Sequence, residues 1–460
     1  MWLTALRVTA ACALAPCLGA LGGAGVTGAL HPLPGRGLCS RAKRDASEPN
    51  NLGLEVRRAQ VDITPEEPLP LGGYTERQGK LSEPGGDHLF VRVLVFSQGG
   101  VRVAIVSAEM LTIPESLRDA VQAQLPKDVH LFLASTHTHC APDSQMLNDR
   151  MTFDVPGIAT YKRKRLQAMS AAIASAVVRA LRSSPKRPAS LVACVGHLDR
   201  NHARRPQDQP DKALVRLDEG DGAASKTLLW HYAAHPVFYG ESELHVRGDW
   251  PGVLAARAGG LVLLGAIGDV SPNIDSRPPA EQISDFAKAC VATHFTRVPV
   301  YSFAGGNRRL DWVQQRILLG PKTPHPGFAK TYHVPEFLAQ MAVDRFAPDA
   351  ASIYAFRVGK LAIVGVPGEP TAALGRRIRD AGLRMGFSVV LVTSHVNGWI
   401  GYILEPDDYD RGGYEATLAM HGRDAGDKVV DAAVEALRRL AKSGSNAGAR
   451  SPRASQLRAE

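Results

Sequence analysis

The sequence predicts a mixed α/β protein, of the α/β or α+β class, with large β-sheets flanked by helices. Three observations predict this class. Short apolar runs typical of strands recur along the chain, helix-like patterns separate them, and no internal repeat is visible. Apolar residues make up 45% and charged residues 22% of the 460 residues, which excludes a disordered or fibrous chain.

Folded structure is predicted to begin near Leu54, where apolar and polar residues alternate as in a strand. Further strands are predicted at residues 89–96, 101–106, 129–133, 191–195, 228–232, 261–266, 351–358, 361–366 and 388–393. Helical periodicity predicts helices at residues 114–124, 160–181, 251–256, 281–294, 335–344, 371–385 and 424–440. We therefore expect one large domain over residues 54–440.

The two ends of the chain differ from this domain in composition. Residues 1–44 contain no Asp or Glu, carry Arg7 and run apolar from Val8 to Leu21, which is typical of a secretory signal. We predict a signal or leader segment over residues 1–44, a linker over 45–53 and a disordered tail over 441–460. The expected location is secreted, periplasmic or otherwise extracytoplasmic. A disordered or organellar leader is the alternative.

The formal net charge of +9 is concentrated near the ends of the chain. Because no basic helix with interleaved aromatic residues is visible, the charge does not indicate nucleic-acid binding. Peripheral contact with an anionic membrane surface is compatible with it. Only Cys140, Cys194 and Cys290 lie beyond the leader and none is in a CxxC pair, so a cysteine zinc site is not expected. The sequence makes no prediction of oligomeric state.

The strongest local signal is an apolar run, Leu131 to Ala134, that ends in His137 and His139. Alternation in a strand would place these two histidines on one face. Imidazoles at the end of a strand can share a metal ion, or one can bind metal while the other moves protons. The alternative is a polar loop with two solvated histidines.

Two further strand ends carry metal-type ligands. The run Leu228 to Ala234 leads into His235, and the run Leu361 to Val366 leads into a turn that presents Glu369. A structural histidine and a carboxylate favoured by a helix N-terminus are the alternative interpretations. Several such strand ends in one chain favour a metal centre.

A fourth strand end, Gly265-Ala-Ile-Gly-Asp-Val-Ser-Pro-Asn, exposes Asp269, Ser271 and Asn273 in a turn that a ligand can approach closely. It is not the Gly-x-Ser-x-Gly elbow of α/β-hydrolases. A conformationally demanding turn without chemistry is the alternative.

Seven short motifs in a fixed order make the sequence resemble the neutral, non-lysosomal ceramidase family. They are Thr136-His-Thr-His, Asp199-Arg-Asn, Ala234-His-Pro, Gly248-Asp-Trp-Pro-Gly, Gly268-Asp-Val-Ser-Pro-Asn, Val366-Pro-Gly-Glu-Pro and Asn397-Gly-Trp-Ile-Gly-Tyr. The resemblance covers roughly Leu54 to Leu440. It implies a single catalytic domain of the family's N-terminal type.

The resemblance also implies one Zn²⁺ per chain. By motif, the implied zinc ligands are His137, His235, Glu369 and Tyr402, and the implied catalytic residues are Ser271, His139, Arg200 and Tyr414. Asp249, Asp269 and Asn273 are expected to contact the substrate or support the ligands. Zinc-bound hydroxide and Ser271 both remain open as the nucleophile.

The implied function is hydrolysis of the N-acyl amide of ceramide, or of a related N-acyl lipid, to a fatty acid and an amine. Family members continue the first motif as His-Ser-Gly-Pro-Gly-Gly, whereas this chain has Cys140-Ala-Pro-Asp143, so the substrate is left open. The alternatives are a different small amide or ester, a non-catalytic lipid- or carbohydrate-binding protein, and a serine hydrolase without metal.

Overall fold

The computed structural model describes residues 53–220, 222, 225–305 and 308–442. The predicted leader, and the predicted linker apart from Gly53, lie outside these residues. The final helix extends two residues into the predicted tail, to Lys442, and the rest of the tail also lies outside. The domain boundaries therefore stay a prediction.

Three β-sheets carry the fold. The first contains, in spatial order, β1 (Glu55–Asp62), β2 (Phe90–Gln98), β3 (Val101–Ala108) and β4 (Val129–Ser135). The second contains β11 (Phe295–Ser302), β5 (Ser190–His197), β7 (Ala213–Glu219), β8 (Lys226–Tyr232) and β9 (Leu261–Leu264). The third contains β12 (Leu310–Ile317), β13 (Ala351–Val358), β14 (Leu361–Gly365) and β16 (Val389–Thr393).

Two short ladders lie at the ends of these strands: β6 (Asn201–Ala203) pairs with β10 (Val270–Pro272), and β15 (Glu369–Pro370) pairs with β17 (Tyr402–Ile403). Each large sheet mixes antiparallel pairs with one parallel pair, namely β3–β4, β8–β9 and β14–β16. The sheets are therefore mixed, as predicted.

The described residues form ten helices, six of which cover the outer faces of the sheets. They are α1 (Glu115–Gln122), α2 (Arg163–Arg182), α3 (Asp249–Ala258), α4 (Pro279–Ala292), α5 (Pro326–Tyr332), α6 (Glu336–Phe346), α7 (Ala372–Arg384), α8 (Pro406–Arg411), α9 (Tyr414–Thr417) and α10 (Ala425–Lys442). Apolar residues of α1 and α2 pack on the first sheet, those of α3 and α4 on the second, and those of α7 and α10 on the third. None of the described helices is long and apolar enough to span a membrane.

The inner faces of the three sheets share one core. Phe132 of β4 meets Phe356 of β13 edge to face, with ring centroids 5.4 Å apart, and Leu217 and Leu229 of the second sheet join the same cluster. Burying one such side chain contributes about 1.5–3 kcal/mol. This common core holds the strand ends of different sheets close together.

Asn397 fastens the first sheet to the third. Its side chain accepts a hydrogen bond from the amide of Leu133 (2.9 Å) and donates one to the carbonyl of Leu131 (2.6 Å), while its own amide donates to Leu133 (2.8 Å). Asn397 has φ 57°, a left-handed value that Asn tolerates better than most residues. Asn397, in the loop after β16, thus makes hydrogen bonds to the backbone of β4 that a neighbouring strand would otherwise make.

The predicted fold class is confirmed. Every predicted strand and helix is present within a few residues, but several elements were missed. β11 contains Pro299 and a register shift, and half of β12 is polar without strict alternation, so neither shows the apolar pattern of a strand. The ladders of two or three residues are too short to produce any period.

Candidate active site and metal centre

His137 lies just beyond the end of β4, and its ring is oriented by a hydrogen bond to the backbone. Its Nδ1 donates to the carbonyl oxygen of Leu111 at 2.8 Å. Because a carbonyl only accepts, Nδ1 carries the proton and the lone pair of Nε2 faces the site. His137 has φ 56°, so the strand has already ended, and the expected strand alternation is not what pairs it with His139. The turn brings their Nε2 atoms to 3.3 Å instead.

His235 follows the carboxyl end of β8 and is held in the same way. Its Nδ1 lies 2.8 Å from the carbonyl oxygen of Ile267, and its backbone amide donates to Val270 at 3.0 Å. Nε2 of His235 therefore also presents a lone pair. The ring centroids of His137 and His235 are 5.0 Å apart.

Glu369 reaches the same place from the third sheet. Its Oε2 lies 3.3 Å from Nε2 of His235 and 3.8 Å from Nε2 of His137, and Trp399 Nε1 donates to its Oε1 at 3.0 Å. The β15–β17 ladder pairs Glu369 directly with Tyr402, which places the buried phenol of Tyr402 beside the carboxylate. The four ligands implied by the sequence motifs are thus brought together.

Burial sets the protonation of this cluster. It lowers the pKa of His137 to about 4, although Glu369 opposes the shift, and it lowers the pKa of His139 well below its usual value with help from His137. Burial alone would raise the pKa of Glu369, but His137 and His235 outweigh it and hold that pKa well below the usual range. At neutral pH, His137 and His139 are neutral and Glu369 is ionised, which are the forms that bind a metal cation.

The donor set fits a zinc ion. Tetrahedral zinc with bonds of about 2.0–2.1 Å separates its ligands by roughly 3.3 Å. The separations of 3.3 and 3.8 Å between Glu369 and the two imidazoles are close to that value. Within the described residues, Oε2 of Glu369, which faces both imidazoles, is buried without a hydrogen-bond partner, as suits a metal ligand.

Arg204 stands where the sequence motifs imply Arg200. Arg200 is exposed and lines no part of the site. Arg204, four residues further on, donates from Nη1 to Ser271 Oγ at 3.0 Å and from Nε to Glu415 Oε1 at 2.9 Å. Its Nη1 also lies 3.5 Å from Nδ1 of His235. Ser271 is therefore linked to the histidine–glutamate cluster through Arg204, which contacts both Ser271 and His235.

The three residues expected in supporting roles differ in position. Both carboxylate oxygens of buried Asp249 accept backbone N–H bonds, from Trp250 at 2.6 Å and from Phe238 at 3.2 Å, so Asp249 holds the loop after His235 in place. Buried Asp269 accepts from the amide of Ala372 at 2.7 Å, at the start of α7. Asn273 is exposed and pairs with His202 at 3.0 Å.

A cleft of about 640 Å³ leads to the cluster. It is lined by Tyr74, His139, Arg204, Arg205, Pro206, Gln207, His235, Val237, Tyr402, Arg411, Gly412, Gly413, Tyr414 and Glu415. Tyr414 is 58% exposed at its mouth, with its ring centroid 5.7 Å from that of Tyr402. The ring of Tyr74 lies 4.9 Å from that of His139. Cys140 and Asp143, at which the sequence differs from the first motif of the family, are buried and do not line the cleft.

The sequence reasoning missed four residues of this region: Tyr74, Arg204, Trp399 and His395. His395 lies completely buried against His137, with ring centroids 4.0 Å apart and nearly parallel planes. Trp399 stands inside a recognised motif, so that motif was a usable signal. His395 follows a predicted strand by two residues, much as His137 and His235 follow theirs, and that pattern was the signal overlooked.

The fold and the cluster define a mixed α/β protein with a buried histidine–glutamate centre suited to a metal ion. The family model described as neutral/alkaline non-lysosomal ceramidase, N-terminal, matches residues 331–430. A neutral ceramidase of Mycobacterium tuberculosis is 32% identical over 85 residues, which are 17% of this chain and 13% of that protein.

Solved structures extend the likeness along the chain. The crystal structure of neutral ceramidase from Pseudomonas aeruginosa matches with a TM-score of 0.70 at 17% identity, covering 85% of this chain and 75% of that one. A ceramidase complexed with C2 matches with a TM-score of 0.69 at 17% identity, covering 85% and 76%. The chain is thus similar to the neutral/alkaline non-lysosomal ceramidases, in sequence over residues 331–430 and in fold over most of its length, in agreement with the resemblance seen in the motifs.

The family model covers only part of the site. Glu369, Tyr402 and Tyr414 lie within the segment matched by the family model, whereas His137, His235 and Ser271 lie before it. The roles of all these residues therefore remain predictions, which the geometry above makes testable.

Proposed function

We propose that the protein is a zinc-dependent amidohydrolase that cleaves the N-acyl amide of ceramide or a related N-acyl lipid. One observation carries the proposal. Strand ends from three different sheets deliver His137, His235 and Glu369 to one buried point, and both histidines are anchored through Nδ1 to a backbone carbonyl. Such anchoring is a regular feature of metal sites.

His137, His235, Glu369 and Tyr402 would hold the ion. A bound zinc ion supplies Lewis-acid polarisation of a carbonyl and lowers the pKa of water toward neutrality. Burial and the nearby carboxylate of Glu369 raise the pKa of Tyr402 well above its usual value, so its phenol is neutral without the ion. We expect it to be a weaker ligand than the imidazoles.

The remaining polar groups of the cleft suit the proton and charge movements of amide hydrolysis. His139 is neutral and lines the cleft, so it can take a proton from water and return it to the leaving amine. Arg204 keeps its charge and, with the Tyr414 hydroxyl, can stabilise negative charge developing on the amide oxygen.

Water is favoured over Ser271 as the nucleophile. A serine nucleophile needs an adjacent base, but the hydrogen bond recorded for Ser271 comes from Arg204, a cation that cannot accept a proton. Nδ1 of the nearby His235 already donates to the carbonyl of Ile267. Ser271 therefore positions Arg204 in this proposal.

The lining of the cleft favours recognition of a polar head group. Arg205, Arg411 and Gln207 lie along it, and Val237 and Pro206 are its apolar members beside the three tyrosines. A small polar N-acyl amide is therefore the second candidate substrate. Short-chain ceramide and N-acyl amino acids, assayed side by side, distinguish the two.

The test combines metal content with turnover. Purified wild type is expected to contain about one zinc per chain and to release fatty acid from short-chain ceramide or another N-acyl amide, and His137→Ala is expected to lose both. A wild type that binds no zinc and cleaves none of the panel contradicts the proposal. Cleavage that survives chelation and is blocked by a fluorophosphonate would instead indicate a metal-free serine hydrolase. Ligand binding that is unchanged by Glu369→Ala, without turnover, would indicate a non-catalytic binder.

We also propose peripheral contact with a membrane. Phe337 and Met341 are 70% and 58% exposed and four residues apart on α6, hence on one face of that helix. α6 packs on α5, and α5 packs on α9, which begins with Tyr414 at the cleft mouth. Reduced binding of Phe337→Ser/Met341→Ser to anionic vesicles is the expected result. Export of the protein stays a prediction from its leader composition.

A further inference from the structure

Arg77 is a buried arginine behind the cleft that none of the sequence motifs assigns to the site. It ends the short 3-10 helix Thr75–Arg77 and is 2% exposed. Its guanidinium makes one hydrogen bond from Nε, two from Nη1 and two from Nη2, as many as the group has N–H donors. A charge at this depth is costly unless it is hydrogen-bonded in this way.

The carbonyl acceptors of Arg77 belong to three separate segments. Nη1 donates to the carbonyl oxygen of Gly72 at 2.9 Å and to that of His139 at 2.5 Å. Nε donates to the carbonyl of Glu241 at 3.1 Å, and Nη2 donates to that of Gly240 at 3.2 Å. The side chain of Arg77 thus ties the loop before it to the turn after β4 and to the loop between β8 and α3.

His139 depends on its backbone and its neighbours for orientation. His137 and His235 are each held through Nδ1 by a backbone carbonyl, whereas Nδ1 of His139 is buried without a hydrogen-bond partner among the described residues. The constraints on His139 include the hydrogen bond from Arg77 to its carbonyl and the ring of Tyr74, whose centroid lies 4.9 Å from that of the imidazole. A shift of either constraint would let the imidazole move.

Arg77 also holds Tyr74. Its guanidinium carbon lies 4.9 Å from the centroid of the Tyr74 ring, within the range of a cation–π interaction. Nη2 of Arg77 lies 3.5 Å from Sγ of Cys140, one of the residues at which this chain differs from the first motif of the family. Since Tyr74 and His139 both line the cleft, one buried side chain supports the same wall at two places.

We propose that Arg77 is a positioning residue, which holds His139 and Tyr74 in the places from which they act on the substrate. Arg77 itself lines no part of the cleft and acts only through these two residues. A guanidinium suits this task because it is planar and carries five donors in fixed directions, whereas an ammonium carries three donors on one atom. The inference rests on the proposed function, in which His139 moves the proton.

The test compares Arg77→Lys with Arg357→Lys. Arg357 is a matched control because it is also buried, donates to the backbone carbonyls of Gly359 at 2.7 Å and Leu440 at 3.1 Å, and lies 5.5 Å from the ring of Phe387. It does not line the cleft. For wild type and both variants, we measure Tm, Zn²⁺ affinity against a competing chelator, and kcat and KM for the N-acyl amide that the wild type cleaves best.

Both lysine variants are expected to lower Tm by a similar amount, because each removes buried hydrogen bonds to the backbone. Only Arg77→Lys should also lose kcat, by about 100-fold, which is the effect of misplacing a catalytic group by about 1 Å. Its KM should change far less than its kcat. Its Zn²⁺ affinity should match that of wild type, because the proposed ligands His137, His235 and Glu369 are held by other groups.

A second pair of variants applies if Arg77→Lys does not fold. Cys140→Ala removes a single contact of the guanidinium, and Cys290→Ala, at a buried cysteine of α4 that does not line the cleft, is its control. Cys140→Ala should lower kcat roughly 2- to 5-fold, the lower part of the range for one hydrogen bond, and Cys290→Ala should not.

Three results overturn the inference while leaving the proposed function intact. They are an unchanged kcat in Arg77→Lys, an equal loss of kcat in Arg357→Lys, and a loss of Zn²⁺ from Arg77→Lys that accounts for its lost activity. Equal kcat in the two cysteine variants does the same where that pair is used. A wild type that binds no zinc and cleaves none of the N-acyl amides overturns both the inference and the proposed function.

Discussion

Gly73 lies against the ring of His139, and replacing it with alanine tests whether this loop sets the position of that ring. A Cβ at Gly73 would lie 2.5 Å from both Cγ and Nδ1 of His139, and the residue has φ 96°. Since ordinary contacts of this kind are about 3.5 Å or longer, the ring must move by roughly 1 Å. A displacement of that size in a catalytic group can cost about 100-fold in rate, or about 2.7 kcal/mol.

Gly79 supplies the control. It also has a left-handed φ, of 73°, but a Cβ there meets nothing within 4 Å. Alanine at either position should lower stability by a similar amount, roughly 1–2 kcal/mol, because both distort the same kind of backbone. Only Gly73→Ala should also lose kcat/KM for the N-acyl substrate, which a paired measurement of Tm and kinetics separates. Equal activity in Gly73→Ala and Gly79→Ala would refute the argument that this loop positions His139.

Three further predictions concern single side chains. Arg204→Gln should reduce kcat about 100- to 1,000-fold, because it removes a charged donor from the cleft. Arg200→Gln, at an exposed position, should leave kcat unchanged. Steady-state kinetics of the two variants shows which arginine acts in the site. Trp399→Phe removes the hydrogen bond to Glu369 and should weaken Zn²⁺ binding roughly 10- to 100-fold in a chelator competition. Trp312→Phe, at a tryptophan stacked on His130, is the control. Equal affinities of the two variants would show that the bond from Trp399 does not support Glu369 as a ligand. Burial, with a smaller effect from Lys322, lowers the pKa of His421 to about 4. As the pH falls, the imidazole of His421 is therefore protonated in the unfolded chain before it is protonated in the folded one. The free energy of unfolding should fall between about pH 6.5 and 4, by about 3 kcal/mol at most. Urea unfolding at pH 7 and 5 should show a smaller fall in His421→Asn than in wild type, and an equal fall would refute that origin.

The sequence was informative about the site where apolar strands end in ligand-type residues. Such ends deliver His137, His235 and Glu369, and period-two or apolar runs are readable without knowing which strands pair. The sequence does not show which strands pair with each other. That Glu369 lies beside Tyr402 depends on a ladder of two residues per strand, which leaves no periodic pattern in the sequence.

The arginine of the site illustrates a different limit. Arg200, Arg204 and Arg205 fall within six residues, and the motif alone favoured the first. The β6–β10 ladder and the turn after it decide which guanidinium points inward, and these depend on contacts with a segment some 70 residues later. His395 follows an apolar strand as His137 and His235 do, but its position against His137 depends on the loop after β16 reaching β4, which the sequence does not show.

Asn397 has a consequence for how the protein becomes active. It joins β4 to the loop after β16 across more than 260 residues of sequence, and the same loop places His395 against His137. Contacts between residues so far apart in sequence are slow to form. A nascent or truncated chain would therefore lack the proposed metal centre, and metal uptake is expected only after the third sheet has docked. An ion that binds only the completely folded chain would stabilise only that state, so metal binding would favour complete folding.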